Sequence, residues 1–330
     1  MQRKCHPTGD NWGKASSDTL RATLPPIARE RRPMTSKSSA KAKAPAEWKP
    51  TEGSKAKASR FRLISWALWI VAIALEVVAI FWLLRQRTEV GGTGLIRDDD
   101  TGLLVDEGVT YEFPQWAFIT LIVAFVVIGA LSITGSMLWK KANRLDPARR
   151  SETVKFFVQN QLGAIVAIIA FVPLIVVVLL NKDMSKTQKG VAGTVGAVIA
   201  VIAIVLGIDF NPPSVEQYTA EQSTVIQILG KDEVVWVAGG GVYHVCADVP
   251  DVQNATTEMS VGTTAEAIEA GKSRLTLEFA SELAACDLPV PTNSAEIADA
   301  IRAIRDGATD TLLPAPEYAE GVTPPFPPGL

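Results

Sequence analysis

Four long apolar runs between residues 63 and 208 constrain this chain of 330 residues more than any other feature. They cover residues 63–84, 114–139, 156–180 and 191–208, and together they contain one charged residue. At about 1.5 Å per residue, each run is long enough to cross a hydrocarbon core of ~30 Å as a helix. The sequence therefore predicts an α-helical transmembrane bundle of four helices.

The distribution of positive charge predicts the orientation of this bundle. Fifteen Lys and Arg precede residue 63 against five acidic residues, and a basic turn separates the second run from the third. Basic residues that flank short loops stay on the cytoplasmic side. Both signals place the N-terminus inside, and four crossings return the C-terminus to that side. The loop at 181–189, which has three lysines, then falls outside against the rule.

Composition divides the chain into four parts. Residues 1–60 are rich in Lys, Ala, Ser and Pro and lack apolar periodicity, so we predict a disordered basic tail. A change in composition at Met34 makes this residue an alternative start, which would leave the first 33 residues untranslated. Residues 61–210 form the transmembrane domain, 211–312 a small α+β module, and 313–330 a Pro-rich tail without regular structure.

Glu76 lies near the middle of the first run. An ionised carboxylate costs several kcal/mol at that depth, so we expect this side chain to be protonated or to face the interior of the bundle, near polar groups of another helix. One interpretation is a proton or cation site, and the other is a neutral acid hydrogen-bonded between helices. The second is favoured because the apolar runs contain no further charge that would form a relay.

The basic turn carries more polar groups than an anchor requires. Residues 159–161 are Gln, Asn and Gln, and three consecutive side chains cannot all face one side of a helix. We therefore predict that the turn contacts neighbouring helices and docks the start of the C-terminal module. The candidate site residues of this turn are Lys140, Lys141, Asn143, Arg144, Asp146, Asn160 and Gln161.

The fourth run repeats small residues at spacings of three and four, among them Gly193, Gly196, Ala200 and Ala203. Such spacing allows neighbouring helices to approach closely. We expect this helix to pack in the centre of the bundle.

Local patterns predict the elements of the module. Residues 234–238 and 242–246 alternate around three glycines, the pattern of a short hairpin. Thr263 and Glu266 form a capping box that starts a helix. A further helix is predicted over residues 294–306, opened by Asn293.

Two glycine motifs suggest nucleotide binding but lack the required context. Gly271-Lys272-Ser273 resembles the end of a phosphate loop, yet Glu266 occupies the position of the required glycine. The glycines at 239–241 lack the strand-to-helix context of a dinucleotide site. Neither motif predicts a cofactor.

A metal site is the alternative for three other residues of the module. His244 and Cys246 fall on one face of a strand, and Cys286 is available to complete a zinc site. A structural zinc site usually has four firm ligands, so buried thiols and a core histidine are the favoured interpretation. No cofactor is predicted unless zinc binds here.

Several stretches carry a resemblance to a known family. They are GSMLWKKANRLDP at 135–147, KFFVQNQLG at 155–163, FVP at 171–173, NKD at 181–183, DFNPPSVEQY at 209–218 and GVYH at 241–244. Over residues 60–286 the chain resembles a family of uncharacterised bacterial four-helix integral membrane proteins. Their last segment is similar to a small zinc-binding domain with a Tyr-His pair. Tyr243 and His244 match, but Thr276 replaces a cysteine, which implies a degenerate, metal-free module.

We therefore expect a scaffold in a bacterial plasma membrane, with both termini cytoplasmic, that presents the module to a protein partner or to a second copy. The alternative is a small transporter or proton-coupled component that uses Glu76. An enzyme is not expected, because no nucleophile with a base and no cluster of acids or histidines can be assembled. The lipid bilayer is the expected environment, and no nucleic-acid partner is predicted.

Overall fold

A computed structural model describes residues 47–325 apart from 92–93 and 107–109. The first 46 residues, which include the alternative start at Met34, and the last five lie outside this part of the chain. The four long helices are α1 (Glu52–Phe81), α2 (Gln115–Leu145), α3 (Thr153–Leu180) and α4 (Lys186–Gly207), and a 3-10 turn (Leu83–Arg85) follows α1. All four are long and apolar enough to cross a membrane, which confirms the predicted number of candidate membrane helices.

Helix α1 begins earlier than the sequence predicts. Thr51 caps its N-terminus by accepting a hydrogen bond from the backbone N–H of Ser54, and Ala58 is fully buried. Trp48, ahead of the helix, is also buried. The predicted disorder is therefore wrong for residues 47–60, because tertiary contacts hold a stretch that has no apolar periodicity of its own.

Small residues bring the long helices together. Gly135 of α2 leaves room for the Trp69 ring of α1, since an added Cβ would lie 2.5 Å from Trp69 Nε1. The rings of Phe125 and Phe171 stack with centroids 6.3 Å apart, which joins α2 to α3. The core thus alternates large rings with small residues, as close helix packing in membranes requires.

Helix α4 approaches its neighbours closely but is not central. It packs mainly on α2 and α3. Among its 18 most apolar consecutive residues, 28% are buried, whereas the corresponding share in α3 is 44%. The predicted central position is wrong because large apolar side chains occupy the opposite face of α4 and are exposed, among them Val198, Val201 and Val205.

Two short strand pairs join α1 to α2. Strand β1 (Thr88–Val90) pairs antiparallel with β4 (Thr110–Glu112), and β2 (Leu95–Arg97) pairs antiparallel with β3 (Leu104–Asp106). The backbone N–H of Phe113 donates to the Asp183 carbonyl at 2.8 Å, so this connection contacts the loop between α3 and α4.

The residues after α4, here called the C-terminal segment (208–325), contain five helices and four short strands within their described part. In chain order these are α5 (Val215–Leu229), β5 (Val234–Val237), β6 (Val242–Tyr243), α6 (Pro250–Gln253), β7 (Met259–Gly262), α7 (Thr264–Glu269), β8 (Arg274–Leu275), α8 (Phe279–Ala285) and α9 (Ser294–Asp306). Ser214 caps α5, and the capping box of Thr263 and Glu266 is present.

The predicted hairpin forms only in part. Strands β5 and β6 meet through a single antiparallel bridge between Val235 and His244. The full ladder of β5 is with β7, and β6 pairs in parallel with β8. The sequence did not predict either partner, because both lie well beyond the local turn.

The predicted bounds of α9 are confirmed, but the role of Asn293 is different. Its side chain makes no capping hydrogen bond to α9. Instead Nδ2 donates to the Ala315 carbonyl at 2.8 Å, and Oδ1 accepts from the Glu317 N–H at 2.9 Å. The tail from residue 313 to 325 contains no helix or strand, but this contact and Leu313 pack its first residues on the segment.

Candidate functional site

Polar side chains of the basic turn join three of the long apolar helices. Buried Asn143 donates from Nδ2 to the Gln159 carbonyl at 2.8 Å, and Gln159 Nε2 donates back to Asn143 Oδ1 at 3.1 Å. The Asn160 side chain, also buried, donates to a carbonyl of its own helix. Arg62 of α1 reaches Asp146 Oδ2 at 2.7 Å. The predicted contacts of this turn with neighbouring helices are confirmed.

The same turn contacts the end of α4. Lys140 Nζ donates to the Ile208 carbonyl at 2.5 Å, and Gln161 Nε2 donates to the Asp209 carbonyl at 3.4 Å. Lys141 is exposed. The Arg144 carbonyl accepts a hydrogen bond from Tyr218, which is described below. Six of the seven candidate residues of the turn, all except Lys141, therefore have a hydrogen-bond partner.

The turn also docks the first helix of the C-terminal segment, as the sequence predicts. The Val215 N–H donates to the Ala148 carbonyl at 3.4 Å. The carboxylate of Glu216 accepts from the backbone N–H of Arg150 at 2.9 Å and from that of Ser151 at 3.2 Å. We call this contact between the turn and the C-terminal segment the junction.

Trp48, which precedes α1, also contacts the C-terminal segment at the junction. Its ring packs edge-on against Tyr218 with centroids 4.8 Å apart, and its backbone N–H donates to Thr219 Oγ1 at 3.1 Å. The Tyr218 hydroxyl in turn donates to the Arg144 carbonyl at 3.1 Å. The sequence did not predict a role for Trp48, for which the only local signal is one large aromatic residue in a Lys/Ala tract.

A second polar contact joins the start of α1 to the C-terminal segment. The Thr51 hydroxyl donates to Glu269 Oε2 at 2.5 Å, and Lys57 Nζ lies 3.1 Å from the same carboxylate. The hydrogen bond from Thr51, together with that from Lys57, lowers the pKa of Glu269.

The electrostatics of the junction favour an ionised Glu216. Burial alone would raise the pKa of this carboxyl, but the N–H groups of Arg150 and Ser151 and the Ser214 hydroxyl outweigh it and lower the pKa. Burial is also the largest cause that raises the pKa of Tyr218, followed by the charge of Glu221, so this hydroxyl remains a hydrogen-bond donor.

Two cavities open at the junction. The larger, of about 600 Å³, lies between α5 and α9 and includes Arg149 and Arg150. Arg149 is paired with Glu47 at 2.6 Å. The smaller, of about 230 Å³, is lined by Arg144, Asn211, Pro213, Gln217, Tyr218, Ser273, Arg274 and Arg305.

Glu76 lies inside the bundle, as predicted. Its residue surface is 4% exposed. Its Oε1 has no hydrogen-bond partner within the described residues, so the expected polar group of another helix is not found for this atom.

The three residues considered for zinc have other partners. Cys246 and Cys286 are joined by a disulfide. His244 is buried, and its Nδ1 lies 2.6 Å from Glu282 Oε1. Over residues 47–325, with the gaps given above, no group of three or more His, Cys, Asp or Glu side chains is arranged to hold a metal.

The two glycine motifs contact each other. Lys272 is buried, and its Nζ donates to the Val237 carbonyl at 2.5 Å, to that of Ala238 at 3.1 Å and to that of Gly240 at 2.5 Å. Burial lowers the pKa of this ammonium group. A lysine that resembles part of a phosphate loop thus satisfies the carbonyls of the glycine turn.

Glu221 is a buried hydrogen-bonding centre that no local sequence pattern predicts. Its Oε1 accepts from Arg305 Nε at 2.8 Å. Its Oε2 accepts from the Tyr243 hydroxyl at 2.6 Å and from the Leu275 N–H at 2.7 Å. Burial, and next the charge of Glu221, raises the pKa of Tyr243 well above its ordinary value. This carboxylate joins α5, β6, β8 and α9.

Comparisons of the chain with protein-family models, with curated proteins and with solved structures find no match. The resemblance to bacterial four-helix membrane proteins therefore stays a prediction.

Proposed function

We propose that the protein is a non-enzymatic integral membrane scaffold that holds a small α+β module on the cytoplasmic face of a bacterial plasma membrane. The observation that carries this proposal is the junction. Trp48 and Glu216 attach the C-terminal segment directly to the bundle, so the segment is held against the membrane domain rather than suspended on a linker. A fixed orientation suits a surface that is presented to a protein partner or to a second copy.

The segment offers a surface for such a contact. Strand β7 pairs with β5 on one side, and its side chains Met259 and Val261 are exposed. A strand at the edge of a sheet with apolar side chains favours pairing with another chain.

A photoreactive amino acid in place of Met259 tests this function in intact cells. We expect a discrete crosslinked species, either a dimer or a complex with one partner. A photoreactive residue at the exposed position Leu312, away from β7, is the matched control. Equal crosslinking from both positions, or none from Met259, would contradict the proposal.

The cytoplasmic side needs its own test, because the disulfide between Cys246 and Cys286 is more typical of an oxidising compartment. A membrane-impermeant maleimide should label Lys182→Cys in intact cells and Asp310→Cys only after permeabilisation. The reverse pattern would place the module outside and make the disulfide a structural feature of that side.

A second candidate function rests on Glu76. A buried carboxyl with one oxygen unpartnered in the described residues favours a site for a proton or a cation. A Glu76→Gln variant should abolish any proton-linked transport, measured with a pH-sensitive dye in vesicles, while it leaves the crosslinks from Met259 unchanged. Unchanged proton flux in the variant removes this candidate.

A further inference from the structure

The smaller cavity of the junction brings together groups from several parts of the chain. Arg144 comes from the last turn of α2, and Asn211 follows the end of α4 by four residues. Ser273 precedes β8, Arg274 is the first residue of β8, and Arg305 comes from the last turn of α9. The cavity therefore exists only in the docked arrangement of the bundle and the C-terminal segment.

The charge of the lining is positive. Three of its eight residues are arginines, and none is acidic. The charge of Arg305 is neutralised by an ion pair with Glu221, with Nε 2.8 Å from Oε1. Within the described part of the chain, neither Arg144 nor Arg274 takes part in an ion pair. Two guanidinium charges thus remain at the cavity without a carboxylate partner.

The position of Arg305 is fixed. Its residue surface is 8% exposed, and two of its nitrogens are engaged, Nε by Glu221 and Nη2 by the Leu275 carbonyl at 2.6 Å. Its Nη1 makes no hydrogen bond to the described residues, and the side chain lines the cavity. A guanidinium held in this way is pre-organised to donate to an anion.

The volume and the position of the cavity indicate which class of anion fits it. About 230 Å³ suits a compact group rather than a large ligand. Guanidinium groups match the oxygens of phosphate by forming two parallel hydrogen bonds. Arg144 and Asn211 adjoin the ends of two candidate membrane helices, where phosphate headgroups lie.

The lining of the larger cavity has no excess of positive charge. Its charged residues are two arginines and two glutamates, and Arg149 is already paired with Glu47. Glu216 accepts from the backbone of the turn. An anion would meet an overall balanced charge there.

We propose that the cavity between Arg144, Arg274 and Arg305 binds a phosphate-bearing anion, supplied either by a lipid headgroup or by a soluble phosphate compound. This inference shares the docked junction with the scaffold proposal, but it requires no protein partner.

The test uses the delipidated full chain in a non-ionic detergent at 0.15 M ionic strength, about that of the cell. Inorganic phosphate and dihexanoyl phosphatidylglycerol are titrated separately by calorimetry. We expect saturable binding of at least one probe. In the double variant Arg144→Gln/Arg274→Gln the affinity should fall about tenfold for each arginine removed. The Arg302→Gln variant, an exposed arginine of α9 paired with Asp299, should bind like the unmodified chain.

Tighter binding of phosphatidylglycerol than of inorganic phosphate identifies a lipid ligand, and equal or tighter binding of inorganic phosphate identifies a soluble one. An Asn211→Asp variant gives a second reading, because it adds a negative charge to the cavity and removes no arginine; it should also weaken binding at least tenfold. No saturable binding of either probe, or equal affinity in the double variant and in Arg302→Gln, would overturn the proposal.

Discussion

The bundle of four candidate membrane helices and the C-terminal segment are each stabilised in a different way. The buried apolar core of the bundle consists mainly of alanines, leucines and phenylalanines, and its buried acid Glu76 leaves one oxygen unpartnered in the described residues. The C-terminal segment buries Glu221, Lys272, Glu282 and Arg305, and each has hydrogen-bond partners. Buried Asp209, at the start of the segment, leaves one oxygen unpartnered in the described residues.

The difference follows from the solvent on the other side of each core. Lipid is as apolar as the interior of a bundle, so steric fit at small residues decides which helix faces meet. In the segment, a buried polar group that loses its partner pays the full cost of leaving water. We therefore expect the segment to be destabilised most by substitutions that remove a buried charge, and the bundle by substitutions that enlarge a small buried residue.

The largest expected effect is at the hydrogen-bonding centre of the segment. A Glu221→Ala substitution leaves Arg305 buried without a carboxylate, which costs about 3–5 kcal/mol. We expect the free energy of unfolding of the segment, measured by urea titration of the full chain in detergent, to fall by that amount. Glu258→Gln, at an exposed position, is the control and should change it little. Equal values for both variants would show that the hydrogen-bonding centre is not a stabilising feature.

An intermediate effect is expected in the bundle. A Cβ added at Gly207 would lie 2.6 Å from the backbone nitrogen of Ala164, so Gly207→Ala forces α3 and α4 apart. The thermal midpoint in detergent should fall by an amount that corresponds to about 1–3 kcal/mol. Gly190→Ala is the matched control on the same helix, because no heavy atom lies within 4 Å of its added Cβ. Because alanine has a higher helix propensity than glycine, the Gly190→Ala variant should have an unchanged or slightly raised thermal midpoint. The reverse order of the two variants would contradict steric control of the bundle.

The smallest effect is expected at the junction, where the two regions meet. The pKa of Glu216 is lowered in the folded protein, so its contribution to stability is present above its ordinary value of 4.5 and is lost as the pH falls through the lower, folded value. The unmodified chain should therefore be more stable than Glu216→Gln at pH 7, by about 1 kcal/mol or less, and the difference should shrink below pH ~4.5. Thermal midpoints of both proteins from pH 7 to 3 measure it. A difference that grows on acidification would show that the hydrogen bonds to the turn do not favour the carboxylate.

The sequence by itself determined those features whose causes lie within a few residues or one helix length. These are the four apolar helices, the cap at Thr263 and the bounds of α9. Hydropathy, helical period and capping act over short distances along the chain, so they can be identified without a partner.

The tertiary structure decided which distant groups meet. Trp48 and Thr219 are 171 residues apart, and Glu221 and Arg305 are 84 apart. Lys272 belongs to a motif that resembles a phosphate loop, but it donates to three carbonyls that lie 32 to 35 residues away. No local pattern encodes such pairs, because each is favourable only when folding removes both partners from water together. The cavity proposed to bind phosphate is of this kind, since its three arginines converge only after the C-terminal segment docks on the bundle.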